Sequence, residues 1–87
     1  MRGIKEKMTA VLSLPKDIVL DMPLVTAMGR GEINIENYKN LLEFTETMVR
    51  VSTKDGNMTI EGERLSLRQI TTENLLISGR ITGIFYT

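Results

Sequence analysis

The sequence predicts a mainly β fold, a small antiparallel β-sandwich or roll of about six to eight short strands behind a short N-terminal amphipathic helix. Three observations carry that expectation. From Leu24 onward apolar and polar residues alternate, the period of a strand buried on one side. Gly29-Arg30-Gly31 and Lys54-Asp55-Gly56-Asn57 interrupt the alternation with residues suited to turns at positive φ. Before Leu24 the period is different: Ile4, Met8, Val11 and Leu12 fall at i, i+4, i+7 and i+8, one stripe of a helix.

The helix comes first in the chain, with Arg2, Lys5, Glu6 and Lys7 on its polar side. Pro15 interrupts it, and because proline is tolerated in a first helical turn, Pro15-Lys16-Asp17-Ile18-Val19-Leu20 is expected to start a second turn before Pro23. The chain then divides within one domain into a helical segment, 1–22, and a β region, 23–87. Strands are expected at Leu24–Met28, Glu32–Asn37, Leu41–Phe44, Met48–Ser52, Met58–Glu61, Leu65–Ile70, Leu75–Ser78 and Ile81–Tyr86. Asp55-Gly56 between alternating segments is a hairpin signal, so Gly56 is expected at positive φ. The alternation places Leu42, Phe44, Val49, Val51, Ile60, Leu65, Leu67, Leu75 and Ile77 in one core.

A repeat runs through this region. Ile33-Asn-Ile35-Glu-Asn37 resembles Met58-Thr-Ile60-Glu-Gly62, and Phe44 to Ser52 resembles Ile70 to Ser78, with Ile81 to Phe85 as a partial third copy. Repeats of this length can build a short β-solenoid, the alternative architecture; the Asp-Gly turn favours hairpins.

Composition narrows the chemistry. The 87 residues include no His, Cys or Trp, which removes disulfides, Cys-based zinc sites, thiol nucleophiles and the commonest general base. No cofactor or metal site is expected. Eleven Lys+Arg balance 11 Asp+Glu, and that neutrality argues against a nucleic-acid partner. No window approaches a membrane span and no signal peptide is visible, so the chain is expected in the cytoplasm.

Few side chains stand out as sites. Glu61 and Glu63 stand two apart on an expected strand, as a carboxylate pair could, but Arg64 and Arg68 are positioned to pair with them. Gly29-Arg30-Gly31 lacks the further glycines, Lys-Ser/Thr and helix of a phosphate loop. The basic N-terminal stripe has the composition of a weak membrane-surface helix, or of one that packs on the sheet. At the C-terminus, Leu75-Leu76-Ile77 and Ile84-Phe85-Tyr86 break alternation and put apolar side chains on both faces. One face is the core, and the other is to be covered by the N-terminal helix or by a partner chain. Leu76, Ile84 and Tyr86 are the candidate partner surface.

Leu14-Pro-Lys-Asp-Ile-Val-Leu-Asp-Met-Pro-Leu-Val-Thr-Ala-Met-Gly29, Asn40-Leu-Leu-Glu-Phe44, Val49-Arg-Val51 and Ile77-Ser-Gly-Arg-Ile-Thr-Gly-Ile-Phe-Tyr86 together resemble the YabP/YqfC family of sporulation proteins of endospore-forming bacteria, the YqfC-like branch most closely. These are strand-and-turn patterns, so no site residue carries over. The resemblance implies a small protein made in the mother cell during endospore formation, encoded beside an integral membrane protein. The expected function is a non-enzymatic interaction or assembly module in the mother-cell cytoplasm. Its expected partner is a protein, such as an integral membrane sporulation protein, with peripheral membrane contact or homo-oligomer formation as further expectations. The alternative is a hydrolase of spore-envelope carbohydrate using Glu61 with Glu63, or Asp55, as its carboxylates.

Overall fold

The computed structural model describes residues 22–87. The expected helix at 1–12 and the turn at 15–20 lie outside the described residues. The remainder forms β1 (Leu24–Met28), β2 (Glu32–Glu36), β3 (Tyr38–Phe44), β4 (Met48–Thr53), β5 (Gly56–Ile70) and β6 (Asn74–Tyr86). They make one six-stranded sheet in the order β1-β2-β6-β5-β4-β3, with every pairing antiparallel.

Eight expected strands become six because the last four merge into two long ones. β5 runs for 15 residues and β6 for 13. Their hairpin organises the sheet in two arms. The first half of β5 pairs with β4, and β3 follows outward; the first half of β6 pairs with β2, and β1 follows outward. Each arm thus has four strands: β3, β4, the first half of β5 and the last half of β6 in one, and β1, β2, the first half of β6 and the last half of β5 in the other.

Between the arms the hairpin is irregular. Its register shifts between Glu61 and Gly62 and again between Glu63 and Ser66, and Arg64 and Gly79 adopt φ of 53° and 140°. The backbones press together here: a Cβ on Gly79 would lie 2.7 Å from the Arg64 carbonyl oxygen, and one on Gly62 would collide with the Arg80 carbonyl oxygen. Loops tie the arms from outside. The Gly79 and Ile81 amides donate to the carbonyls of Gly31 and Arg30, and the Gly62 and Leu65 amides donate to those of Thr47 and Glu46.

The internal repeat is structural, but it is not a solenoid, since successive strands pair antiparallel and each copy exchanges strands with the other. Ile33 and Ile35 pair with Ile77 and Leu75; their counterparts Met58 and Ile60 pair with Val51 and Val49. These eight are the largest fully buried side chains, and they belong to a single core. The turns repeat too. Thr45 Oγ1 accepts from the Thr47 and Met48 amides at 3.2 and 3.0 Å, and Thr71 Oγ1 accepts from the Glu73 and Asn74 amides at 3.3 and 2.9 Å. Across the arms, Tyr38 Oη donates to the Thr71 carbonyl at 2.5 Å, while the Asn37 amide extends the β2–β6 ladder by donating to the Glu73 carbonyl.

Gly56 is at φ 104° and the strands close as a hairpin with Thr53 opposite Gly56, as the Asp-Gly signal requires. Two expected core residues are not in the core. Leu42 is 49% exposed, because the register shift between Leu41 and Glu43 leaves it unpaired and turns Leu41 inward opposite Val51; Phe44 stands opposite Val49 on the core side but at the end of the outermost strand, where it is 44% exposed. A single extra residue reverses the faces of a strand. Leu67 is only partly buried, while Val49, Val51, Ile60, Leu65, Leu75 and Ile77 are buried.

Ile60→Ala should remove about 2–5 kcal/mol of stability, lowering the melting temperature by roughly 10 °C or more, whereas Phe44→Ala should cost about 1–2 kcal/mol because half of the ring is already in water. Equal effects in thermal denaturation would contradict the core described above. Gly79→Ala should be destabilising by at least about 1–3 kcal/mol from its backbone conformation alone. Ala at Gly31, where nothing lies within 4 Å of the added Cβ, is the matched control and should change the midpoint little.

Candidate functional site

The carboxylates expected to share a face are separated by the bend. Glu61 borders a shallow hollow with Met48, Arg50, Thr59 and Phe85. Glu63 borders another, of about 410 Å³, with Arg64, Gly79 and Arg80. The ion pair of Glu63 is with Arg80 at 3.8 Å, across the hairpin, rather than with the expected Arg64 or Arg68. Both side chains are well solvated, so the pair adds little stability. Asp55 lies in the β4–β5 turn, where its amide donates to Thr53 Oγ1 at 3.1 Å. No group of three or more acidic residues able to hold a metal ion occurs among the described residues. The Gly29-Arg30-Gly31 turn, with Gly29 at φ 59°, spends its carbonyls on the β6 amides of Gly79 and Ile81.

The more distinctive feature is the last half of β6. Sheet edges expose unpaired amides and carbonyls, and proteins usually guard them with charge or bulges. β3 has Lys39, Glu43 and two register shifts; the outer half of β5 has Arg64, Arg68 and two register shifts. By contrast, Ile81-Thr82-Gly83-Ile84-Phe85-Tyr86-Thr87 contains no charged side chain and no proline, and its one irregularity is the extra residue Thr82. β2 accompanies β6 only along Asn74–Ser78, so no strand among the described residues lies beside its last half opposite β5.

Hydrogen-bond phase identifies which groups face outward. Asn57 and Thr87 exchange both amide-to-carbonyl bonds, at 3.3 and 2.9 Å. Such pairs alternate with non-bonded ones along an antiparallel ladder. With Met58 opposite Tyr86, Thr59 opposite Phe85 and Ile60 opposite Ile84, the amides and carbonyls of Ile84 and Tyr86 point away from β5.

The candidate residues are therefore not on one face. Leu76 is half-buried on the side opposite Leu75 and Ile77, level with Asn34 and Gln69. Ile84 is half-buried against the core, and Tyr86 follows on the same side but is 67% exposed. The outward apolar side chain at this end is Phe85, 49% exposed, whose ring lies over Gly83. The extra residue Thr82, at the shift between Glu61–Gly83 and Gly62–Ile81, reverses the faces between Leu76 and Ile84. Alternation counted straight through could not reveal this. The absence of charge across residues 81–87, set against the charged neighbouring edges, was the signal available.

Fold and surface define a small antiparallel β protein whose distinctive feature, among the described residues, is a sheet edge with no neighbouring strand and no charged side chain. The chain belongs to the YabP family, which it matches over residues 22–87. It is similar to the uncharacterized protein YqfC of Bacillus subtilis (strain 168), 36% identical over 83 residues that make up 95% of this chain and 89% of that protein.

Proposed function

We propose that this chain is a non-enzymatic interaction module of endospore formation, acting in the mother cell and docking on a protein partner through β6. The observation that carries this reading is the edge at Ile84 and Tyr86, unpaired among the described residues, an uncharged strand whose outward amides and carbonyls can accept another strand. Main-chain pairing of that kind supplies affinity, and the flanking side chains supply selectivity. Phe85, half-exposed, and Tyr86, largely exposed, supply apolar area beside it. The biological setting comes from the family resemblance, which also suggests an integral membrane sporulation protein as a further partner and a position peripheral to the membrane. Leu76, on the other arm, belongs to a second contact if the partner extends across the sheet.

Hydrolysis of spore-envelope carbohydrate would need two carboxylates converging on one bond. Glu61 and Glu63 border different hollows, and Glu63 is engaged by Arg80; these placements favour the docking reading.

Sporulation efficiency tests it. A strain carrying Glu61→Gln with Glu63→Gln should sporulate like its parent, and a strain carrying Tyr86→Lys, which places a guarding charge on the edge, should sporulate poorly at normal protein abundance. A severe defect in the first strain at normal abundance, or parental efficiency in the second, would overturn the reading.

A further inference from the structure

The geometry points to a second copy of this chain as the occupant of the β6 edge, paired antiparallel through Ile84 about a two-fold axis. This rests on the docking reading above and names its partner. A two-fold contact uses the same surface twice, so the segment must be compatible with itself. Residues 81–87 satisfy that condition: they carry no charge to oppose its own image, and the whole chain has a formal net charge of zero. The outward phase of Ile84 allows it to exchange both backbone hydrogen bonds with Ile84 of the second copy. One step along, each Phe85 then stands opposite Gly83 of the other copy. Each ring lies over its own Gly83, so the two rings stand side by side on the outer surface rather than against each other's side chains.

The consequence is architectural. The arm made of β3, β4, the first half of β5 and the last half of β6 has four strands, and pairing at β6 joins two arms into one continuous sheet of eight. The other arm's outer strand, β1, is also free of charge (Leu24-Val25-Thr26-Ala27-Met28). Pairing β6 to β1 would be head-to-tail and would build a ring or a filament of many copies, whereas the β6 pair closes at two copies.

Sedimentation equilibrium of the full chain, together with residue-resolved amide exchange, tests this. Mass should rise with concentration from that of one 9.8 kDa chain to twice that value and stop there. The Ile84 amide should become protected over the same range. Tyr86→Pro removes an outward donor while leaving the β5 ladder intact, a substitution an edge strand tolerates. It should sediment as a single chain at concentrations where the parent is fully paired, with its melting temperature at low concentration little changed.

If Tyr86→Pro fails to fold, the parent's exchange profile alone decides. A single chain at every concentration overturns the second copy, as does growth beyond two chains or a dimer that leaves the Ile84 amide unprotected. Protection of that amide at every dilution also overturns it, in favour of the chain's own first 21 residues. Failure of these measurements together with poor sporulation of Tyr86→Lys would remove the second copy while keeping a docking edge. Parental sporulation of Tyr86→Lys would remove the docking reading itself.

Discussion

The close backbone approach at the middle of the β5–β6 hairpin is the constraint on which the rest of the structure depends. Two strands of 15 and 13 residues meet there, and every other strand pairs outward from them. Gly62 and Gly79 let the two backbones touch where side chains would collide, and Arg64 and Gly79 supply the positive φ that breaks the strands' course. The hairpin is thereby divided into two lengths, each short enough to accept two further strands. Every other pairing in the sheet is made to one of those lengths or to a strand already paired with it.

The repeat then explains why one core results rather than two. Each copy supplies a strand that pairs with the other copy's strand, so Ile33 and Ile35 meet Ile77 and Leu75 just as Met58 and Ile60 meet Val51 and Val49. Neither copy buries its own apolar row alone. The threonine turns at Thr45 and Thr71 present matching backbone hydrogen bonds. The Asn37 and Gly62 amides then donate to the carbonyls of Glu73 and Thr47 in the opposite copy's turn. The interlocking is therefore set by backbone polar groups as well as by apolar packing. That matters in a small chain, where an unpaired backbone group at the arm junction would offset much of the gain from burial.

The same division creates four outer edges, and they are treated differently. The outer halves of β3 and β5 occupy corresponding places in the two arms and both carry charge and register shifts. The last half of β6 and β1 also correspond, and neither carries a charged residue. An unguarded edge is a hazard unless another strand occupies it. The hollows on the outer surface hold isolated charges with solvated partners; the edge of β6 holds aligned donors, acceptors and apolar side chains within a few residues.

Much of this is legible in the sequence. Two-residue alternation determined the all-β class and the start and end of β1, β2 and β4 to within a residue or so; Asp55-Gly56 determined the hairpin, and similar residues at offsets of 25 and 26 marked the repeat. These are local properties, set by strand geometry and by glycine's freedom at positive φ. Tertiary structure alone decided that Met58–Glu61 and Leu65–Ile70 are one strand and that Leu75–Ser78 and Ile81–Tyr86 are another. It also decided that Leu41 rather than Leu42 turns inward, and that Ile84 faces the core while Phe85 faces out. Each of these depends on an extra residue accommodated against a partner strand. A bulge has no signature in the strand that contains it: the extra residue exists only relative to the register of its neighbour, and that register is set when the two arms close on their shared core.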